Sequence, residues 1–125
     1  MSGFNVTALH HASLVVSDTE VSLKFYRDLL GLEVDDGRPD LGHPGAWLNI
    51  GASQIHLLEL PNPDPVEGRP EHGGRDRHVA LTVEGFDAVI ERLEASGMEY
   101  TRSRSGRKAA FCRDPDGNAI ELIGR

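Results

Sequence analysis

The chain has 125 residues, of which 38% are hydrophobic, and a formal net charge of -7. This length fits one compact domain and is too short for two independent globular units. The acidic balance argues against nucleic acid or an anionic membrane surface as a partner, and no apolar run approaches the roughly 20 residues needed to cross a bilayer. One cysteine cannot form an intrachain disulfide, and the first residues lack a secretory signal, so a cytoplasmic location and a small-molecule substrate are expected.

The first half of the chain has the pattern of a strand, a helix and three further strands. Apolar and β-branched residues alternate from Thr7 to Val16, and the side-chain oxygens of residues 17–19 are suited to capping a helix. Apolar residues at helical spacing predict a helix over about residues 19–30, ended by Gly31. Short strands are then predicted over residues 32–35, 46–50 and 54–60. These elements make one βαβββ unit.

The second half repeats the order of elements after a linker rich in proline and glycine. A strand is predicted over residues 77–83, and a helix from Phe86 to near Gly97. Three short strands follow, over residues 98–102, 109–113 and 118–123. The sequence therefore predicts an α+β fold of tandem βαβββ modules in a single domain, with module one at about residues 7–60, the linker at about 61–74 and module two at about 75–125.

Four residues with metal-ligating side chains lie at repeated positions in the two modules. His11 and His78 lie in the first strands, and His56 and Glu121 lie in the last strands. Because alternate side chains of a strand point to opposite faces, all four share the polar face, opposite the apolar face that a helix would cover. Their repetition favours a metal site over four unrelated strand residues. We expect one divalent cation, with Zn, Ni, Fe, Co and Mn all compatible.

Three segments resemble the vicinal oxygen chelate superfamily: LHHASLVVSD at residues 9–18, FYRDLLGL at residues 25–32 and DPDGN at residues 114–118. The resemblance implies paired βαβββ modules that form a cupped mixed sheet with helices on its convex face. That family includes glyoxalase I, methylmalonyl-CoA epimerase, fosfomycin-modifying thiol transferases, extradiol dioxygenases and metal-free bleomycin-binding proteins.

In the metal-dependent members of this family, the ligands lie on the first and fourth strands of each module. These positions correspond here to His11, His56, His78 and Glu121, and relatives often have Glu or Gln at the position of His56. His10 should point to the opposite face from His11 and is left out of the site. The histidines at positions 43 and 72 are expected in surface loops.

Three further side chains are candidates for contact with the substrate or for a catalytic role. Arg107 belongs to a basic segment and is a candidate for binding a substrate carboxylate or phosphate, against a solvated surface charge as the alternative. Trp47 is a candidate for the pocket wall, against a simple core residue. Cys112 has no neighbouring group in the sequence to activate it, so a buried packing role is expected.

Four functions remain open from the sequence. The first is an isomerase, epimerase or lyase, in which Glu121 or a metal-bound hydroxide would move a proton while a metal holds two neighbouring substrate oxygens. The second is thiol transfer, with a thiol as cosubstrate. The third is extradiol dioxygenation, which His56 disfavours because it would occupy a position that this chemistry usually leaves open. The fourth is a non-catalytic binding protein. A homodimer is expected, because short edge strands need cover, and the sequence leaves open whether each metal site lies within one chain or between two chains.

Overall fold

The computed structural model describes residues 3–125, and its first half contains four strands and one helical segment. The helical segment begins as α-helix α1 and continues as a π-helix. Asp18 caps α1, because its side chain accepts a hydrogen bond from the Val21 amide at 3.1 Å. The elements are β1 (His11–Val16), α1 (Thr19–Leu23), the π-helix (Lys24–Leu29), β2 (Glu33–Val34), β3 (Gly45–Ile50) and β4 (Ser53–Glu59).

The second half repeats this order of elements. A short 3-10 turn at Gly73–Arg75 precedes it. The elements are β5 (His78–Val83), α2 (Phe86–Ala95), β6 (Thr101–Arg102), β7 (Ala109–Arg113) and β8 (Ala119–Gly124). Neither α1 nor α2, nor any other helix in residues 3–125, has the length and apolar character that a bilayer crossing requires.

The strands form two four-stranded sheets with identical topology. Their orders are β1-β4-β3-β2 and β5-β8-β7-β6, and in each sheet only the first pair of strands is parallel. The predicted α+β fold of tandem βαβββ modules is therefore confirmed, with the mixed sheet divided into two halves. The Asn118 side chain links the halves by donating to the Val15 carbonyl at 3.2 Å.

The strand register places the four candidate ligands on equivalent diagonals. In the first sheet Ser13 lies opposite His56, two residues beyond His11. In the second sheet Ala80 lies opposite Glu121, two residues beyond His78. Because residues two apart share a face of a strand, each diagonal brings its two ligand side chains to the same face of one sheet.

The helices pack against the opposite, apolar faces of the sheets. One continuous cluster of buried side chains contains Leu23 and Tyr26 from the first helical segment, Leu93 from α2, and residues of both sheets. Burial of this apolar surface is the main stabilising contribution to the fold. The two halves therefore share a single core, and the face that carries the candidate ligands lies outside it.

One buried hydrogen bond joins two of the segments that carry the family resemblance. The Tyr26 hydroxyl, from FYRD, donates to Asp114, from DPDG, at 2.6 Å. Asp114 also accepts from the backbone amides of Asp116 and Asn118 and from the Asn118 side chain. Burial raises the pKa of Tyr26 and also raises that of Asp114. These contacts tie the helix of the first half to the β7–β8 turn of the second.

The predicted helix over residues 19–30 is present, but its second part is wider than an α-helix. The Leu30 amide donates to the Phe25 carbonyl at 3.0 Å, which is an i to i−5 bond, and Gly31 then has the expected positive φ of 76°. Phe25 and Tyr26 are consecutive and both are buried. The π-helical winding accompanies this placement of two large adjacent rings in the core.

A buried ionic network fixes the linker against the second sheet. Asp76 has a side chain only 7% exposed, and it accepts hydrogen bonds from Arg69 at 2.6 Å and from Arg113 at 2.8 Å. Arg113 also donates to the carbonyls of Gly117 and Pro70. Mainly through the hydrogen bond from Arg69, and despite burial, the pKa of the Asp76 carboxyl is held well below its usual range.

Replacing Asp76 by asparagine is expected to lower the free energy of unfolding by about 3 kcal/mol at pH 7, because two half-buried guanidinium groups lose their counter-charge. Asp64→Asn is the matched control, since Asp64 of the same linker pairs with Arg77, but both side chains are more than half exposed. Its expected cost is below about 1 kcal/mol. Denaturant unfolding of both variants measures the difference, and equal costs would contradict a structural role for the buried network.

The same network predicts a pH dependence. Because the folded state favours ionised Asp76, this carboxylate stabilises the fold above the ordinary carboxyl pKa of about 4, and the contribution is lost as the pH falls below that value. The stability gap between wild type and Asp76→Asn should therefore be constant between about pH 5 and 7 and shrink below about pH 4.

Candidate metal and active site

The first pair of candidate ligands is stacked. The rings of His11 and His56 are 3.9 Å apart between centroids, with an interplanar angle of 16°. Trp47, which lies opposite His56 in the register of β3 and β4, stacks on the other face of His56 at 4.4 Å. The indole and the two imidazoles thus form a three-ring stack, which we call the Trp47 stack, and Trp47 lies on the ligand face of the sheet.

The hydrogen bonds around His56 define which of its nitrogens is free. Its Nε2 lies 2.8 Å from the carbonyl oxygen of the Gln54 side chain, so Nε2 carries the hydrogen and donates. The Nδ1 atom is left with a lone pair. Burial lowers the pKa of His56, and the nearby His11 and His10 rings lower it further, which favours the neutral form that a metal ligand requires.

The second pair is an imidazole beside a carboxylate. His78 Nε2 lies 3.2 Å from Glu121 Oε1, and Arg107 contacts the other oxygen of Glu121 at 3.2 Å. The Glu121 side chain is only 4% exposed, although the Arg107 side chain is 58% exposed. The guanidinium therefore covers a carboxylate that is otherwise enclosed by the sheet and by the ring of Phe111, which is in edge contact with His78.

The donor atoms of the second pair suit a cation. His78 Nδ1 lies 2.9 Å from the Asp76 carbonyl and donates to it, so in the neutral ring Nε2 presents a lone pair towards Glu121. A lone pair and a carboxylate oxygen that face each other at 3.2 Å repel unless a proton or a cation lies with them. Neutral imidazole nitrogen and carboxylate oxygen are ligand types that Zn, Ni, Fe, Co and Mn accept.

The donor atoms of the first pair suit a cation, but the two rings must move before both can bind the same ion. An imidazole nitrogen binds a metal in the plane of its ring, so two nearly parallel rings cannot both direct lone pairs at one ion. His56 is fixed by Gln54 and Trp47. His11 contacts only the exposed His10 through a hydrogen bond, Nδ1 to Nδ1 at 2.8 Å, so His11 is the ring that is free to turn.

The chain brings the four predicted ligands together as two pairs and not as one cluster. Within residues 3–125, no group of three or more His, Cys, Asp or Glu side chains is arranged to hold a metal ion. Each half of the molecule therefore presents half of the predicted ligand set. A small cavity of about 290 Å³ opens beside His78, between β1 and β5, and Ser13 and Val15 line its other side.

Residues 8–122 of the sequence match a family model described as Glyoxalase/Bleomycin resistance protein/Dioxygenase superfamily. The chain belongs to this superfamily. The expected vicinal oxygen chelate relationship is therefore confirmed, and it covers both sheets and both pairs of candidate ligands.

Relatives in the superfamily match this chain along most of its length. "Glyoxylase I 4" of Arabidopsis thaliana is 32% identical and covers 94% of this chain and 71% of its own. The lactoylglutathione lyase of Haemophilus influenzae is 33% identical, over 90% of this chain and 89% of its own. A solved structure of the fosfomycin resistance protein FosX from Listeria monocytogenes, complexed with Mn(II), has a TM-score of 0.74 with 19% identity, over 96% and 93% of the two chains, and supports the fold alone.

Other side chains of this superfamily member differ in part from their sequence-based interpretation. His10 was expected to point away from His11, but β1 begins only at His11, so strand alternation does not apply to His10 and the two rings are in contact. His72 is half-buried, bonded to Thr101 at 2.7 Å, and is therefore not a plain surface residue. Cys112 is buried, and burial raises its pKa to about 12, in keeping with a packing role.

Two residues near the site were not singled out from the sequence. Gln54 was treated only as part of a strand, and Asp35 as the end of one, yet both take part in the hydrogen bonds that hold His56. The signal available in the sequence was the spacing of Gln54 and His56, which places both on one face of β4. The contribution of Asp35 depends on a long-range contact that spacing does not reveal.

Proposed function

We propose that this chain is a metal-dependent lyase or isomerase of the glyoxalase type, acting on a small metabolite with neighbouring oxygen atoms. One divalent cation per site would be held by His11, His56, His78 and Glu121. The observation that carries the proposal is the repeated diagonal of ligand residues, and within it the Nε2 atom of His78 facing the carboxylate of Glu121 at 3.2 Å.

Glu121 is the proposed proton carrier. A bound divalent cation would supply a Lewis acid that polarises neighbouring substrate oxygens. The Glu121 carboxylate would accept a proton from the carbon beside a substrate carbonyl and return it to the adjacent carbon, which converts one isomer into another without net consumption of a proton. The Glu121 carboxylate is buried beneath Arg107, which keeps bulk water away from its oxygens.

Arg107 and Trp47 are the proposed contacts for the rest of the substrate. Arg107 is more than half exposed, so its guanidinium can leave Glu121 and pair with a carboxylate or phosphate of the substrate. Trp47 is half-buried and offers an aromatic wall beside His56. A thiol cosubstrate is compatible with this arrangement, because the carboxylates of a thiol peptide suit the guanidinium.

We further propose that the complete site forms between two chains of a homodimer. The two ligand pairs occupy separate sheets of one chain, and His11, Ser13, His78 and Ala80 are all exposed on the ligand faces. Val6 and Leu9, just before β1, are 88% and 73% exposed, which is unusual for apolar residues beside a site and is relieved by contact with a partner. The pair of one chain would face the complementary pair of its partner.

The test is a reaction panel on protein loaded with Zn, Ni, Co, Mn or ferrous iron. A 2-oxoaldehyde with glutathione probes isomerisation to a 2-hydroxyacyl thioester such as lactoylglutathione. Fosfomycin with a thiol probes epoxide opening, and a catechol with oxygen probes ring cleavage. We expect formation of a 2-hydroxyacyl thioester that depends on the metal. In deuterated solvent, deuterium should appear on the carbon that receives the proton whenever the proton on Glu121 exchanges with solvent before it is returned.

Three outcomes of this reaction panel would overturn the proposal. Thiol consumption on fosfomycin without thioester formation would assign thiol transfer, and oxygen uptake would assign a dioxygenase. Tight binding of a metabolite with no turnover and no bound metal would assign a binding protein. Metal content by mass spectrometry of the purified protein, expected at one equivalent per chain, accompanies each assay.

A further inference from the structure

Gln54 is held in one orientation by Asp35, which follows β2, and by Asn49 of β3. Its side-chain nitrogen donates to Asp35 Oδ2 and to Asn49 Oδ1, each at 2.8 Å. Asn49 is itself oriented, because its own amide nitrogen donates to Glu33 at 3.1 Å. Both hydrogens of the Gln54 amide are therefore used, and the amide cannot flip without placing its oxygen against two acceptors.

The oxygen of the Gln54 side-chain amide determines which nitrogen of His56 carries the hydrogen. The Gln54 oxygen must face His56 Nε2, 2.8 Å away, and an oxygen can only accept. His56 therefore carries its hydrogen on Nε2. Trp47 stacks on one face of the ring and restricts its rotation, so both the tautomer and the plane of this imidazole are set before any ligand arrives.

We propose that Gln54 is a positioning residue of the metal site, which makes Nδ1 of His56 the ligating atom. This inference rests on the proposed metal-dependent function for its purpose, but the hydrogen-bond assignment itself concerns the protein without metal. In this proposal Gln54 contacts neither the cation nor the substrate. It acts through His56, as outer partners of metal-binding histidines do when they fix the tautomer and the ring orientation.

The direct test is the tautomer of His56 in the metal-free protein. Long-range proton–nitrogen NMR spectra at about pH 8, where an ordinary histidine is neutral, distinguish a hydrogen on Nε2 from one on Nδ1. Wild type is expected to show Nε2–H. Gln54→Met, of similar length but without an acceptor, is expected to show a mixture. Denaturant unfolding of wild type and Gln54→Met is measured alongside, which separates loss of the hydrogen bond in a folded protein from a general effect on folding.

Calorimetric titration with zinc or nickel supplies the second readout. Gln54→Met is expected to weaken binding by about 10- to 100-fold. A hydrogen on Nδ1 in wild type, or an unchanged tautomer in Gln54→Met, would overturn the positioning role. Unchanged metal affinity in a Gln54→Met protein whose tautomer has changed would overturn the ligating role of Nδ1. If wild type bound no cation while showing Nε2–H, the proposed function would fail and the hydrogen-bond assignment would stand.

Discussion

Mixed dimers of His11→Ala and His78→Ala chains are expected to regain metal binding that neither variant has alone. Each single variant should lose more than about 100-fold in affinity, because even outer partners of a metal ligand are worth roughly 10- to 100-fold. If the site forms between chains, the mixed dimer combines an intact His11–His56 pair from one chain with an intact His78–Glu121 pair from the other. The remaining site of that dimer lacks both replaced ligands.

The experiment is to unfold the two variants together, refold them and measure bound cation. Random association gives one complete site in half of the dimers, so about a quarter of the wild-type capacity should return. The matched control mixes His11→Ala with His56→Ala, whose replaced ligands lie in the same sheet. Those mixed dimers contain no complete site and should bind no better than the parents.

Two outcomes would contradict the shared site. Mixed dimers that form, as judged by mass spectrometry of differently tagged chains, but do not regain metal would place each site within one chain. A chain that stays monomeric at micromolar concentration in sedimentation analysis would refute the dimer itself. A variant that kept wild-type affinity before mixing would remove its residue from the ligand set.

Replacing Glu121 by glutamine is expected to lower turnover by about 10²- to 10⁴-fold, the usual range for loss of a general base. The amide keeps an oxygen that can bind a cation but cannot take a proton at neutral pH. Metal content should therefore fall much less than turnover. Glu91→Gln, at an exposed position on α2, is the matched control and should leave both unchanged.

The two quantities must be measured on the same sample, by mass spectrometry for the metal and by thioester formation for the rate. If turnover and metal content fall in parallel, Glu121 serves only as a ligand, and the base is another group. If neither changes, the carboxylate is outside the site. A large loss of turnover in a protein that remains loaded is the result that supports the role of proton carrier.

The strand pattern allowed the repeat, and the side chains that share a strand face, to be predicted from the sequence. His11 and His78 lie in strands whose polar and apolar residues alternate, and this alternation fixes which side chains share a face. For that reason His56 and Glu121 were correctly assigned to the ligand faces of their sheets. The confirmed fold depends on local patterns that need no knowledge of distant contacts.

The features that were not predicted depend on contacts between distant residues. The winding of Lys24–Leu29 accompanies two adjacent buried rings, and a helical period does not distinguish an α-helix from a π-helix. The orientation of His56 requires Gln54, and through it Asp35, which lies in another part of the chain. The Asp76 network joins the linker to β7, although the sequence indicated only scattered charges there.

The Trp47 stack also gives the protein an optical probe of its own site. Trp47 is the only tryptophan in the chain, so its fluorescence comes from a single position in contact with His56. Any event that turns an imidazole of the stack, or places a cation beside it, changes the surroundings of that indole. Stopped-flow emission can therefore follow the arrival and departure of a ligand without a label, and can separate these steps in time from the chemical reaction.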